Sequence, residues 1–381
     1  MKNKNKKNII IFSGYYLPFL GGIERYTNML SKHLIDEGYN VTIVCSNHDN
    51  LKDFEIIDKI KIFRLPIKNI FKSRYPIPDK NKKYQEIWKK ICETKYDYVI
   101  ANTRFQLTTL LGIKISNKQK IPMMILDHGS SHFTVNNIIL DFFGRIYEHL
   151  LTSIIKKRVK YFYGVSKRCC EWLKHFKIKP SGVIYNSIDG SNYEIYKDKY
   201  FLESNDKIII TYAGRIIKEK GIENLCEVYN KISDDYKNIE LYVAGDGPIL
   251  NELKNKYKKI NFLGKLDFDS VMKLYNSTDI FVYPSMFPEG LPTSILEAGL
   301  MKSAIIATDR GGTLEVICDE EYGLIMEENK ESLEEKLRIY LNNPEKINEL
   351  KKNIHNRVIE NFTWKTTTKK LIKELNKLNE E

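Results

Sequence analysis

Phe287-Pro288-Glu289-Gly290-Leu291-Pro292-Thr293-Ser294-Ile295-Leu296-Glu297-Ala298 is the stretch on which the reading of this chain turns. It follows the apolar, β-rich run Ile280-Phe281-Val282-Tyr283 and passes into residues of helical character from Thr293 to Met301. Glu289 therefore falls in a loop just past a strand, and Glu297 lies on the next helix, eight residues on. In open α/β sheets, ligands settle beyond the carboxyl ends of the strands. A helix that starts there offers backbone N–H groups and the positive end of its dipole, a ready anion site. Two carboxylates bracketing an anion site suit a ligand with both phosphate and hydroxyls, and a sugar nucleotide is such a ligand.

Other motifs lie in order around this one. Gly21-Gly22-Ile23-Glu24 stands near the start, Asp127-His128-Gly129 in the middle and Asn186-Ser187-Ile188-Asp189 further on. Gly214-Arg215 closes the run Ile208 to Ala213, with Lys220-Gly221 six residues after Gly214. Gly245-Asp246-Gly247-Pro248 ends the next strand, and Gly311-Gly312 with Glu315 completes the series. Together these resemble the signatures of retaining glycosyltransferases with the GT-B fold, most closely glycosyltransferase family 4. The resemblance covers nearly the whole chain; one departure is Ser187, where the family's Asn-Gly-Val-Asp segment has glycine. It implies an α/β fold of two Rossmann-like, doubly wound domains facing across a cleft. It also implies transfer of a sugar from a nucleotide diphosphate sugar, UDP being the commoner choice, with retention of configuration and no metal or other cofactor.

The same resemblance distributes roles. Arg215 and Lys220, beside Gly214, fall to the donor diphosphate, where a guanidinium supplies a fork of donors and an ammonium a point charge. Glu289 falls to the donor sugar and Glu297 to the ribose hydroxyls. The backbone of Gly290, Leu291, Pro292 and Thr293 leads into the phosphate-binding helix end, with Thr293 readable equally as a plain N-cap. Gly21 and Gly22 would let the backbone approach a phosphate or sugar, and His128 would lie against the donor sugar and its departing phosphate, with His132 a lower-ranked competitor. On residues alone each has a plainer reading: a solvated loop cation, a surface helix carboxylate, a flexible glycine turn, a structural histidine. Gly21-Gly22 lacks the G-x-G-x-x-G of a dinucleotide site.

Size and charge bound the rest. A chain of 381 residues suggests two domains of ordinary size. Alternating β-rich and amphipathic runs in two series place a first domain over 1–190 and a second, nucleotide-sugar-binding domain over 191–381, with the last helix crossing back. Strands are expected at Ile9–Ser13, Val41–Ser46, Lys61–Leu65 and Tyr98–Ala101 among others, and helices at Ile23–Glu37, Phe105–Ile115 and Ile138–Lys160. The basic start followed by a short apolar run reads as a first strand and not a signal peptide, which leads to a cytoplasmic expectation. Six cysteines without metal-type spacing read as reduced thiols. Asp267-Phe268-Asp269 has the form of a metal-binding D-x-D, but it precedes a helical run and reads as a cap; no metal site is expected.

The net charge of +12 is unevenly spread. Residues 1–190 hold 33 Lys and Arg against 16 Asp and Glu, and the remainder 28 against 33. A coding bias toward lysine would act on both halves, so the asymmetry points to an anionic partner of the first. The stretch 61–90 mixes Lys61, Arg64, Lys68, Lys72, Arg74, Lys80, Lys82 and Lys83 with Ile70, Phe71, Tyr75 and Ile77, which suits an anionic inner membrane surface. Helix 138–160, with Phe142, Phe143, Leu150, Leu151, Ile155 and a terminal Lys156-Lys157-Arg158, is placed mostly in the core. The expected acceptor is a glycan or lipid-linked glycan for a surface polysaccharide, with the enzyme peripheral at the membrane. A GT-B-type sugar-nucleotide epimerase is the alternative; a specific nucleic-acid binder has no recognition motif here.

Overall fold

The computed structural model describes residues 6–19, 21–68, 75–134, 137–203, 206–287 and 290–380. The chain divides into two compact units, one made of residues 1–186 and 367–381, the other of residues 187–366.

In the first unit the strands are β1 (Asn8–Phe12), β2 (Asn40–Asn47), β3 (Phe54–Ile57), β4 (Ile60–Lys68) and β5 (Ile77–Pro78). They continue as β6 (Tyr98–Asn102), β7 (Met123–Asp127), β8 (Tyr161–Gly164) and β9 (Gly182–Val183). Between them lie α1 (Gly22–Asp36), α2 (Lys82–Glu93), α3 (Leu107–Gln119), α4 (Ile138–Lys156) and α5 (Lys167–His175). The sheet runs β3-β4-β2-β1-β6-β7-β8-β9, with β5 paired to β4. Pairings from β2 to β9 are parallel; β3 and β5 run antiparallel to β4. The β3 hairpin escaped the sequence reading; Asp58 and Lys59 turn it with φ of 48° and 66°. The apolar runs of β1, β6 and β7 are buried throughout, as expected of a parallel sheet covered on both faces.

The second unit holds α6 (Asn192–Tyr196), β10 (Ile208–Ala213), α7 (Ile222–Ile232), β11 (Ile239–Ala244), α8 (Leu250–Lys256) and β12 (Asn261–Gly264). It goes on through α9 (Phe268–Asn276), β13 (Ile280–Tyr283), α10 (Thr293–Leu300), β14 (Ala304–Thr308), α11 (Thr313–Val316) and β15 (Leu324–Met326). Helices α12 (Lys330–Leu341) and α13 (Pro344–Asn361) complete it, before α14 (Trp364–Lys377). The sheet is parallel in the order β12-β11-β10-β13-β14-β15. That is the doubly wound order 3-2-1-4-5-6, whose switch point lies between β10 and β13. Ile210, Leu241, Val243, Val282 and Ile306 fill its core.

Helix α14 leads the end of the chain into the first unit. There Leu371 and Leu375 are buried, Tyr98 donates to Asn376 Oδ1 at 3.1 Å and Tyr163 to Glu374 Oε2 at 3.0 Å.

Helix α4 departs from expectation. The sequence reading puts most of it in the core, yet only Glu148, Leu151, Thr152 and Ile155 are buried. Ile139 is 68 %, Phe143 61 % and Leu150 62 % exposed, and Ile138, Leu140, Phe142, Ile146 and Ile154 are exposed with them. Both faces of this helix are apolar, so the 3.6-residue period could not tell which one the core would take. Among the described residues of the basic stretch, Arg64 does not face outward but is buried and paired with Glu55, and Tyr75 is tied down: its hydroxyl donates to Phe105 O at 2.6 Å and meets the Tyr147 hydroxyl at 2.6 Å. Ile77 is half-buried in β5. Ile70, Phe71, Lys72 and Arg74 lie outside the described residues. No helix among the described residues is long and apolar enough to cross a membrane.

Candidate active site

The switch point of the second unit carries the cationic residues. Past β10 the chain turns through Gly214 and Arg215, and Tyr212 holds the turn by donating to Arg215 O at 2.8 Å. Lys220 ends a 3₁₀ turn, Lys218–Lys220, closed by Gly221 at φ 68°. A Cβ on Gly221 would lie 2.0 Å from Pro284 O, so only glycine lets this turn press against the end of β13. Met286 N donating to Glu219 O at 2.9 Å seals the same contact. The arrangement brings both cations to one ring: the Arg215 guanidinium lies 5.6 Å and the Lys220 ammonium 5.4 Å from the centre of Phe287. Lys220 Nζ also donates to the Tyr283 hydroxyl at 3.4 Å.

Gly245 does for Arg215 what Gly221 does for Lys220. It has φ 143°, and a Cβ there would stand 1.8 Å from Gly214 O. The Gly245-Asp246-Gly247 turn thus packs directly on the Gly214–Ile216 backbone, with Ile216 N donating to Asp246 O at 2.9 Å. Pro248 belongs to this turn and not to the first turn of a helix, since α8 begins at Leu250. A pocket of about 390 Å³ opens at the ends of these strands, with Arg215, Asp246, Lys265, Leu266 and Val271 among its lining. A larger groove of about 820 Å³ near β15 is lined by Asp309, Glu327, Glu328, Glu331 and Glu335 against Arg310 and Lys336. That excess of carboxylates would repel a diphosphate, and the smaller pocket, with two cations against one carboxylate, is the better anion site.

Helix α10 starts at this same switch point. Pro292 is its N-cap, extended at φ −69° and ψ 119°, and no side chain caps it. The alternative role of Thr293 as the cap is therefore corrected: Thr293 is the first helical residue. Pro292 has no N–H, so the first donors of the helix come from the residues after it. Leu291 is buried, and Gly290 O accepts from Gly312 N at 2.6 Å, which joins the Gly311-Gly312 motif to the loop. Glu297 is half-buried in α10. Burial, then the nearby Glu297 carboxylate, pushes the Tyr275 phenol well up. Glu289 and Pro288 lie outside the described residues.

Asp267 caps α9, accepting from Ser270 N at 2.8 Å, and Asp269 pairs with Lys273 at 2.5 Å. Both carboxylates of the D-x-D are engaged within their own helix.

In the first unit, β1 and β6 flank the corresponding switch point. Gly21 is the N-cap of α1, and a Cβ there would lie 2.4 Å from Glu24 Oε2. The Glu24 carboxylate folds back over the helix end; burial raises its pKa, opposed by backbone hydrogen bonds at Glu24 and Gly21. This helix terminus thus carries its own carboxylate. At Gly22 an added Cβ meets nothing within 4 Å.

His128 follows β7, with its ring edge-on to Tyr26 at 4.7 Å between centres. Its tautomer can be traced through hydrogen bonds. Thr27 Oγ1 donates to Ile23 O at 2.7 Å and accepts from Asn102 Nδ2 at 2.6 Å. Asn102 Oδ1 must then accept, and His128 Nε2, 3.2 Å away, carries the proton. Nδ1 is left as an acceptor. Part of the residue reaches solvent, but packing around the ring dominates: burial pushes the imidazole down to about 3, so it is neutral. Sequence reasoning missed Asn102, whose only signal was a polar residue at a strand end. It missed Phe287 as well, although that ring opens the motif.

Beneath His128 lies a charged cluster that nothing in the sequence announced. Arg104, fully buried, donates from Nη1 to Asp127 Oδ2 at 2.6 Å and from Nη2 to Glu148 Oε1. Glu148 Oε2 in turn meets His132 Nδ1 at 2.8 Å. Burial raises the Asp127 pKa and the Arg104 charge opposes it. Thr103, β-branched and buried, sits at φ 66° between Asn102 and Arg104, a strained turn of the kind found at functional sites.

Comparison with known proteins bears on the family and the fold. Residues 20–191 match the description Glycosyltransferase Family 4, and residues 194–357 match Glycosyl transferases group 1. An uncharacterized glycosyltransferase of Methanocaldococcus jannaschii is 32 % identical over 98 % of this chain and 99 % of its own length. The UDP-Gal:alpha-D-GlcNAc-diphosphoundecaprenol alpha-1,3-galactosyltransferase of Escherichia coli is 23 % identical over 95 % of each chain. Among solved structures, sucrose-phosphate synthase from Thermosynechococcus elongatus superposes with a TM-score of 0.73 at 18 % identity, covering 98 % of this chain and 99 % of that one. Anabaena HepE in complex with UDP gives 0.72 at 14 %, covering 97 % and 100 %. This chain is a glycosyltransferase and belongs to family 4, with the two Rossmann-like domains of the GT-B fold.

Proposed function

We propose that the chain transfers a sugar from a nucleoside diphosphate sugar, a UDP-sugar first among them, to a hydroxyl of a lipid-linked acceptor. The observation that carries this reading is the meeting of Arg215 and Lys220 at Phe287, with the uncapped α10 terminus at the same switch point. As the bond to the donor sugar breaks, negative charge accumulates on the leaving diphosphate. The fixed guanidinium, ammonium and backbone N–H groups stabilise that charge without reorganising. This electrostatic role is the one a divalent cation would otherwise fill, so we assign no metal to the diphosphate. Glu297 would accept from ribose hydroxyls, Glu289 from the sugar, and the base would enter the pocket beside Lys265, Leu266 and Val271. His128 Nδ1, neutral and fixed as an acceptor, suits a sugar hydroxyl. Retention of configuration follows from the family resemblance, with the departing phosphate taking the acceptor's proton.

The lipid-linked acceptor rests on α4. A contiguous exposed apolar face marks an interaction surface, and exposed Arg145, Lys157, Arg158 and Lys160 accompany it. Apolar side chains amid cations suit an anionic membrane surface, where each nearby cation contributes about 1 kcal/mol. The Escherichia coli relative is named for a diphosphoundecaprenol acceptor, and a Saccharomyces cerevisiae relative, 24 % identical over 82 % of this chain, for phosphatidylinositol. The epimerase alternative finds no support in these transferase relatives. The deciding experiment incubates purified protein with a panel of nucleotide sugars and polyprenyl-diphosphate glycans, with and without Mg²⁺. A glycosylated lipid product independent of Mg²⁺ is expected. An isomerised donor formed without acceptor, or a strict Mg²⁺ requirement, would overturn this reading.

A further inference from the structure

Three imidazoles converge in the first unit from the loop after β7, from α4 and from the end of α5: His132, His149 and His175. One nitrogen from each lies within 4.8 Å of the others, and Nε2 of His149 is 3.3 Å from Nε2 of His175. The ring centres form a nearly regular triangle with sides of 5.4, 5.2 and 5.1 Å. A tetrahedral zinc with nitrogens ~2.0–2.1 Å away sets those nitrogens about 3.3–3.4 Å apart and the ring centres, roughly 1.1 Å beyond, about 5.2 Å apart. The His149–His175 nitrogens and the three ring-centre spacings thus already have the dimensions of a ligand set, and His132, whose nitrogen lies within 4.8 Å of the others, needs only to bring it in.

The surroundings are those of a supported site. Glu148, buried, accepts from His132 Nδ1 and leaves Nε2 as the ligand nitrogen. A carboxylate behind a ligand histidine fixes its tautomer and raises its basicity. Glu148 is itself held by Arg104, and Arg104 by Asp127. This buried set has two carboxylates and one guanidinium, so it favours positive charge just beyond His132. Trp172 stacks on His175 at 4.7 Å with planes 5° apart, and Phe176 packs edge-on to His132 and His175. A hydrogen bond between His149 and His175 would account for that pair alone. It would not account for a third imidazole beside them, aimed by a buried carboxylate. His149 and His175 are exposed, which leaves a way in for an ion.

We propose that His132, His149 and His175 bind a divalent ion of the zinc class, with the fourth position open to water. Imidazole ligands select zinc, cobalt, nickel or copper over magnesium and calcium. The ion would pin the loop that carries His128, four residues before His132, to helices α4 and α5. Its role is structural, and it is distinct from the diphosphate chemistry proposed above.

The test uses the untagged full chain, stripped with EDTA and desalted. Calorimetric titration with Zn²⁺ should show one ion bound per chain, and Co²⁺ should give the intense visible absorption of a tetrahedral centre. His149→Gln and His175→Gln, both at exposed positions, should weaken Zn²⁺ at least ten-fold and abolish the cobalt band. Glu148→Gln should weaken it about 10- to 100-fold if that carboxylate supports His132. His33→Gln, on α1, should bind as the wild type does. Binding unchanged in both His149→Gln and His175→Gln, or no equivalent of Zn²⁺ bound at micromolar protein, would overturn the proposal.

Discussion

Arg215 and Lys220 hold their cations 5.6 and 5.4 Å from the centre of the same phenyl ring, that of Phe287. Their turns descend from different residues of the loop after β10, yet each is pressed into place by a glycine against neighbouring backbone. The ring's negative face attracts both cations, by about 0.5–1 kcal/mol each.

The glycines make the first prediction. Gly245→Ala would drive a Cβ to 1.8 Å from Gly214 O, and Gly221→Ala to 2.0 Å from Pro284 O, both at positive φ. Neither backbone atom can move away as a flexible side chain would. Each substitution should destabilise by more than about 2 kcal/mol, from backbone strain and overpacking together. Urea unfolding measures this directly. Wild-type midpoints for both variants would show that the two turns are not held as described.

Helix α4 makes the second. Ile139→Ser, Phe143→Ser and Leu150→Ser together remove exposed apolar surface and touch no core residue. The unfolding midpoint should stay within experimental error of wild type, while binding to vesicles rich in anionic lipid should fall at least ten-fold. Full burial of such a side chain is worth about 1.5–3 kcal/mol, so three partly inserted residues readily supply that loss. Raising salt should weaken wild-type binding further by screening the cations. Equal vesicle binding by the triple variant would remove the membrane role of this face.

His128 makes the third. Its folded pKa is depressed to about 3 from an ordinary 6.5. Between those values the unfolded chain binds a proton that the folded chain refuses, so this residue makes stability fall as pH drops below 6.5. Above 6.5 the effect vanishes, and below about 3 it is complete. Urea midpoints measured from pH 7 down to pH 4 should fall less steeply for His128→Gln than for wild type. Turnover should show no inflection near 6.5 from this imidazole. Parallel slopes would mean the ring is charged in the folded protein.

Much of the second unit is legible in the sequence because its motifs are local. Gly214-Arg215, Phe287 and the start of α10 follow strand ends, and the parallel order brings those ends together. The apolar runs of β1, β10 and β13 betray themselves by continuous burial. What escaped depends on distance along the chain. His132, His149 and His175 are separated by 17 and 26 residues, which no metal-spacing rule would join. Arg104 reads as one more cation in a basic half until the fold sets it between Asp127 and Glu148. The exposure of α4 was hidden for a different reason: composition records that both faces are apolar, not which of them finds a partner.

On the proposed mechanism, Arg215 and Lys220 hold the diphosphate of the donor. Calorimetric binding of UDP compared with uridine isolates that contribution, since base and ribose are common to both. Wild type should prefer UDP strongly. Arg215→Ala and Lys220→Ala should each lose about 1.5–3 kcal/mol of that preference, the worth of a hydrogen bond to a charged group, while uridine binding stays constant. An undiminished preference for UDP in both variants would remove Arg215 and Lys220 from the diphosphate site.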